Sequence, residues 1–392
     1  MNDRYQSRYQ SQHQSYHPSS RQPTLPNLPP VTPPRPPGRP KPARAAAAER
    51  AGTGQTWRKI RQVLKLAFGA VFVLLIVGVF LVQRQASAVA DAIVVPEVRP
   101  NPPAASPLFG SINVLIIGVD ERPDHPEEGV RSDTLILAHV KVFRPSISLL
   151  SIPRDTQVEL QEVGTTKINV AYGLGYERAT EWYGPEATPQ QGGMSLASQT
   201  VERFLGYYRG TRVDYTAQVN FDGFVGLIDA LGGVTIEVPA PLVDDAYPTP
   251  DYGIMRVEFQ PGVQRMDGAT ALIYARTRHA DSDFGRSQRQ QQVMQAIAAE
   301  IQRKGWVERV RLLPAVAKSL EGRDGQPPPV LTTLPIDRLD MLLGGVLLAR
   351  GLGSEAIRSV PLNPETVEVM EIGSNLLWDE AGVRARVDEW LR

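Results

Sequence analysis

Nine side chains in this sequence have the types and spacing for polyphosphate chemistry: Asp120, Arg131, Asp133, Arg154, Arg276, Arg278, Asp283, Arg286 and Gln290. Three of the arginines fall in one short stretch, "ARTRHADSDFGRSQRQ", where two aspartates and then an apolar helical pattern accompany them. A guanidinium presents a planar fork that matches phosphate oxygens and stays charged at any physiological pH. Two carboxylates suit Mg²⁺, which takes one or two of them together with water and phosphate oxygens, and Mn²⁺ accepts the same oxygen donors. Taken singly, each Arg–Asp combination would be an ordinary surface salt bridge worth less than about 1 kcal/mol. Convergence of the set from separate segments is what points to an anion site. Uncompensated guanidiniums roughly 4 Å apart would repel by about 4 kcal/mol per pair at an effective dielectric near 20.

The elements that must bring them together are three strands and a helix. "SINVLIIGVDERP" is a continuously apolar strand ending at Asp120, the pattern of a sheet's centre. "RSDTLILAHVKV" begins a second strand just after Asp133, and "RPSISLLSIPRD" gives a third over Ile147–Ile152, stopped by Pro153. Their short connections favour antiparallel neighbours, which places Asp120, Arg131, Asp133 and Arg154 on one edge. "ATALIYARTRH" reads as another strand, whose exit carries Arg276 and Arg278. "DSDFGRSQRQQQVMQAIAAEIQRK" reads as a helix capped by Ser282 or Asp283, with Arg286, Gln290, Val293, Ile297 and Ile301 at helical spacing. "SLASQTVERFL", "FDGFVGLIDALGG", "LDMLLGGVLLARGL" and "DEAGVRARVDEWL" read as further helices, and "VTIEVP" as a strand. Lys167 and Asn169 in "TKINVAYGLGY" either line the site or cap a turn; His279, alone among arginines, is read as a bystander rather than a base.

Composition excludes other chemistries. The 42 Lys and Arg balance 42 Asp and Glu, so a partner must be recognised by a local patch rather than by a nucleic-acid-coating charge. Cysteine is absent and only five histidines occur, which removes thiol nucleophiles, disulfides and thiolate or multi-histidine metal sites. Neither a Walker-type phosphate loop nor a G-x-S-x-G elbow is found.

Residues 1–56 form a low-complexity, Pro-rich stretch that reads as a disordered cytoplasmic tail, partly in polyproline-II conformation. Residues 57–84 read as a transmembrane anchor: Leu66–Val82 is uncharged and mostly apolar, near the lower limit for a bilayer span. Arg58, Lys59, Arg61 and Lys65 precede it, which puts the N-terminus in the cytoplasm and everything after Val82 outside the cell membrane. Residues 85–108 read as a second Pro-rich linker and 109–392 as one α/β domain.

The blocks "NVLIIGVDER", "RSDTLIL", "LLSIPRDT", "KINVAYGLG", "VNFDGFVGLIDALGGVTIEV" and "ARTRHADSDFGRSQRQ" occur in this order across Ile112–Ile301. In them the sequence resembles the LytR-CpsA-Psr family, membrane-anchored bacterial transferases that attach glycopolymers to the cell wall. The resemblance implies an α-β-α sandwich around a central mixed sheet, with a hydrophobic pocket for a polyprenyl chain. It implies that Asp120 and Asp133 hold Mg²⁺, and that Arg131, Arg154, Arg276, Arg278 and Arg286 bind a pyrophosphate together with Gln290. Asp283 matches the acidic residue of the family's D-x-G-R motif. The implied partners are a polyprenyl-pyrophosphate-linked glycopolymer and a peptidoglycan acceptor. A polyprenyl-pyrophosphate phosphatase at the same site and a non-catalytic binder or regulator of wall polymers are the rival readings.

Overall fold

The computed structural model describes residues 82–103, 105–120, 129–249, 253–277, 283–320, 322, 327–351 and 356–392. The tail 1–56 and the apolar run up to Leu81 lie outside the described residues. Among the described residues, no helix is long and apolar enough to cross a membrane.

In chain order the elements are α1 (82–93), β1 (Ser111–Asp120), β2 (Arg131–Lys141), β3 (Ser146–Ile152), β4 (Gln157–Leu160), β5 (Gly164–Lys167), α2 (Val170–Glu177), α3 (Ala179–Tyr183) and α4 (Pro189–Phe204). Then follow β6 (Tyr215–Val219), α5 (Phe221–Ala230), β7 (Val234–Val238), β8 (Leu242–Pro248), β9 (Ile254–Phe259), β10 (Gly262–Met266), α6 (Gly268–Arg276), α7 (Asp283–Arg303) and α8 (Trp306–Ser319). The chain closes with β11 (Val330–Thr332), α9 (Leu339–Gly351), β12 (Ile357–Ser359), β13 (Val369–Ile372), β14 (Asn375–Trp378) and α10 (Glu380–Trp390).

Six strands form the central mixed sheet in the order β11-β6-β1-β2-β3-β12. β1, β2 and β3 are successive antiparallel neighbours, while β6 runs parallel to β1 and β12 parallel to β3. Helices cover both faces. On one face Leu115, Ile117, Leu137 and Leu150 are sealed under Tyr172 of α2, Met194 and Val201 of α4 and Trp390 of α10. On the other, Ile116, Ile136 and Ala138 meet Met294 of α7, beside a second apolar cluster of α5, α6, α7 and β7 that includes Ile228, Ile236, Tyr274 and Val293.

Local signals explain the helices that frame the site. Pro189 opens α4 behind a capping box in which Thr188 accepts from the Gln191 N–H and the Gln191 side chain accepts from the Thr188 N–H. Asn220 caps α5 by accepting from the Gly223 N–H, and the turn after it relies on Gly232 and Gly233 at φ +81° and +94°. Two sequence readings need correction. "ATALIYAR" is the helix α6, not a strand: Asp267 accepts from the Thr270 N–H and caps it, while the apolar run alone carried no period that distinguishes the two. β2 begins at Arg131 rather than after Asp133, because the ladder to β1 continues through Val119↔Ser132 and Asp120↔Arg131.

The segment before β1 is docked onto the domain. The Val95 N–H donates to the Thr332 carbonyl, Gln191 donates to the Pro96 carbonyl, and the Ser195 hydroxyl donates to Glu97. Arg99 is buried, pairing with Glu97 at 2.9 Å and Glu202 at 3.3 Å and donating to the Val213 carbonyl.

Candidate active site

The polar edge of β1–β3 carries the sequence-selected carboxylates and arginines. Asp120 ends β1 opposite Arg131 in register. One step further, Gly118 pairs with Thr134 while Val119 pairs with Ser132, so Asp133 is the extra residue of a β-bulge in β2. A bulge re-aims side chains and ends regular pairing, a recurrent device beside active sites. Here Val119 and Ser132 turn to the sealed core, and Asp133 lies with Thr134 on the face toward α7. Gly118 allows the crossing: a Cβ there would lie 2.9 Å from the Thr134 Cβ.

Arg154, just past β3, donates to Asp133 Oδ1 at 3.0 Å. Asp155 stands 3.6 Å from Arg154 Nε and accepts from Lys167 Nζ at 2.6 Å, so the lysine steadies the acid that flanks Arg154. Asn169 braces the same corner through its backbone. Its N–H donates to the Arg154 carbonyl at 3.3 Å, and its carbonyl accepts from the Ser132 hydroxyl at 3.3 Å. Asp133, Arg154, Arg286, Ser287 and Gln290 line one small cleft between the sheet edge and the first turns of α7. Arg286 is buried there.

Arg276, at the C-terminal end of α6, reaches Asp120 at 3.9 Å. Its guanidinium lies 4.1 Å from the centroid of the Phe221 ring and 5.7 Å from that of Tyr247. Burial raises the pKa of the Tyr247 phenol, against the opposing pull of Arg276. Neither ring was selected from the sequence; the signal available was an aromatic residue directly after the Asn220 cap and another in the "DDAYP" strand. Arg289 was also missed. It is buried on α7 and donates to the Thr277 carbonyl, tying the end of α6 to α7. Arg278, His279 and the side chain of Asp283 lie outside the described residues, although Asp283 opens α7.

Among the described residues, Arg154 pairs with Asp133 and Asp155, and Arg276 with Asp120, so guanidinium and carboxylate groups alternate along this edge. No group of three or more His, Asp or Glu that could hold a metal occurs among the described residues. A divalent cation at this edge would have Asp120 and Asp133 as its carboxylates, a donor type that suits Mg²⁺ or Mn²⁺ with water and phosphate oxygens.

Val114, Ile116 and Gly118 of β1 and Ala217 and Val219 of β6 are only half-buried, although β1 is a central strand. The opposite face of the same strand, at Leu115, Ile117 and Val119, is at most 1% exposed. α5 and α7 therefore do not seal the sheet on their side.

A six-stranded mixed sheet with helices on both faces and arginine–carboxylate pairs at one edge defines the chain as an α/β protein. The profile described as the LytR_cpsA_psr family matches residues 106–322, and the chain belongs to that family. It is 32% identical over 294 residues to the polyisoprenyl-teichoic acid–peptidoglycan teichoic acid transferase TagU of Oceanobacillus iheyensis, covering 72% of this chain and 80% of that protein. With the transferase of the same name from Halalkalibacterium halodurans it shares 38% identity over 189 residues; the match spans 47% of this chain and about half, 51%, of that relative. In fold it resembles the crystal structure of B. subtilis TagV, with a TM-score of 0.51 at 24% identity over 72% of this chain and 97% of that one. The structure of TagT bound to LIIa-WTA gives a TM-score of 0.50 at 23% identity, over 74% and 92%.

Proposed function

We propose that the chain transfers a glycopolymer from a polyprenyl-pyrophosphate carrier to peptidoglycan, leaving a phosphodiester link. The observation that carries this reading is the meeting of Asp133, Arg154, Arg286 and Gln290 in one cleft, beside the Asp120–Arg276 pair, in a member of this family. Its relatives are named as teichoic acid transferases acting between a polyisoprenyl carrier and peptidoglycan.

Arg131, Arg154, Arg276, Arg278, Arg286 and Gln290 would hold the pyrophosphate, and the incompletely buried apolar face of Val114, Ile116, Ala217 and Val219 would adjoin the prenyl chain. Asp120 and Asp133 would hold Mg²⁺ or Mn²⁺, which supplies charge neutralisation on the phosphates when bound. An acceptor hydroxyl attacks the sugar-side phosphorus, forming one O–P bond as the bond to the bridging oxygen breaks. Prenyl phosphate leaves with that oxygen, its charge met by the arginines, and the hydroxyl proton passes to a base, for which Asp283 is the candidate. The basic cluster ahead of Leu66–Val82 supports a single-pass anchor with a cytoplasmic N-terminus and an extracytoplasmic domain.

Removing one positioned charge-stabilising donor typically lowers the rate about 10²–10³-fold. Arg286→Ala should do so in a lipid-linked transfer assay while the thermal midpoint stays near that of the parent; near-parental turnover would remove the assignment. Release of prenyl phosphate without acceptor consumption would instead favour the phosphatase reading.

A further inference from the structure

The reading above leaves the acceptor without a place, and the opposite flank of α7 carries a groove that none of those roles uses. Its first part, of about 700 Å³, lies between the N-terminal half of α7 and the segment after β12, where Phe284, Ser287, Gln288, Asn363, Pro364 and Glu365 face one another. The second part, of about 510 Å³, continues along α7 beside β7, from Gln295 to Gln302. The two share Gln292 and Gln295. From Phe284 to Gln302 the helix rises about 27 Å at 1.5 Å per residue, enough for several sugar rings in a row. At its near end the groove shares Ser287 with the cleft of Asp133, Arg154 and Arg286.

The lining is polar but nearly uncharged. Among the described residues, Glu365 is the one charged side chain lining the first part and Glu237 that lining the second, with no Lys or Arg in either. Among the described lining residues a polyphosphate chain would find no countercharge, and a prenyl chain would strand the amides. Planar amides present a donor and an acceptor side by side, which matches neighbouring sugar hydroxyls and N-acetyl groups. Some amides are committed to building the wall. Gln291 donates to the Ser151 hydroxyl at 2.6 Å and accepts from Ser359, and Gln292 accepts from the Tyr274 hydroxyl at 2.7 Å. Gln288 and Gln295 are exposed on the same stripe of α7, and Asn363 keeps its amino group for a ligand while its Oδ1 accepts from Thr366. Phe284 is held edge-on against Trp378, with ring centroids 6.2 Å apart, leaving a half-buried apolar ring at the groove mouth for a sugar face.

We infer that this groove is the acceptor subsite and takes an uncharged N-acetylhexosamine glycan strand, feeding one hydroxyl past Ser287 toward the pyrophosphate. The inference rests on the transferase reading, but binding can be measured without transfer. The test is a saturation-transfer NMR titration of the full chain in detergent with tetra-N-acetylchitotetraose, on the parent, on Gln288→Ala/Asn363→Ala and on Gln295→Arg. Loss of one or two hydrogen bonds corresponds to about a tenfold weaker affinity. The expected result is binding by the parent, about tenfold weaker binding by both variants, and an acceptor KM raised by a similar factor with the donor KM and thermal midpoint unchanged. Absence of binding by the parent, equal binding by the variants, or a rise confined to the donor KM would each overturn the subsite. A groove variant with unaltered acceptor KM alongside an inactive Arg286→Ala removes the groove and leaves the transferase reading standing. Oligosaccharide binding that survives a lack of turnover does the reverse.

Discussion

At the scale of single residues, the site depends on neutral neighbours as much as on charged ones. Arg276 cannot rely on Asp120 alone, since at 3.9 Å the pair is at the outer limit of an ion pair. The Phe221 ring beneath the guanidinium supplies an electron-rich face that helps hold it in place. Such a contact is worth about 0.5–2 kcal/mol, depending on desolvation. Phe221→Leu keeps the apolar bulk and removes the face, so the KM for a lipid-linked donor should rise about three- to tenfold with kcat little changed. Phe221→Tyr should behave as the parent, and an unaltered KM in the leucine variant would show that Arg276 is positioned by other contacts. Neutral neighbours of this kind leave no mark in the sequence. Arg276, Asp120 and Arg154 announce themselves by type, whereas Phe221 and Tyr247 become part of the site only once α5, α6 and β8 are folded around one guanidinium.

At the scale of elements, the sheet edge was legible because three apolar runs with short connections leave few arrangements besides antiparallel neighbours. That logic placed Asp120, Arg131, Asp133 and Arg154 on one edge; in the structure Asp120 lies opposite Arg131 in register, and Arg154 donates to Asp133. It could not show the bulge, since one residue too many in a strand leaves no mark on an apolar pattern. It misread α6 because "ALIYA" is too short to display a helical period, and the cap at Asp267 and Thr270 was the decisive signal. The docked segment around Arg99 was read as a spacer because its prolines suit a linker equally well, and only its tertiary partners distinguish the two. The bulge gives a direct prediction. Gly118→Ala would press a methyl against the Thr134 Cβ at 2.9 Å, next to the extra residue Asp133. Overpacking of this kind costs about 1–3 kcal/mol. Urea unfolding should register that loss, and transfer should fall further than stability alone explains because Asp133 is displaced from Arg154. Adding Thr134→Ala should restore much of both. A single variant as stable and as active as the parent would mean that the backbone relaxes without moving Asp133.

At the scale of the molecule, the sheet is closed by the chain's last helix, and that closure carries a titratable group. Trp390 is fully buried and donates from Nε1 to the Leu137 and Ser148 carbonyls, tying α10 across β2 and β3. Lys141 donates to the carbonyls of Leu391 and Arg392, and Arg358 to that of Glu389, so two cations satisfy the exposed carbonyl end of α10. His139 lies under the Trp390 ring, 5.1 Å between centroids, with Nδ1 2.7 Å from Asn113 Oδ1. Asn113 donates from its amide to the Arg212 carbonyl, so its oxygen faces the imidazole and Nδ1 carries the proton. Burial, reinforced by Lys141 and Arg358, lowers the His139 pKa from 6.5 to about 4. Between those values the unfolded chain binds a proton that the folded chain refuses. The contribution is therefore complete above pH 6.5 and is lost as pH falls toward 4. Integrated from pH 7 to pH 5, a shift of this size amounts to about 2 kcal/mol. Urea unfolding of the parent should show that decline, and His139→Gln should flatten it, whatever its effect on stability at neutral pH. An equal slope in both proteins would assign the acid sensitivity to other groups. Loss of the slope would assign the acid sensitivity to the imidazole beneath α10, where a proton would set a third positive charge against Lys141 and Arg358.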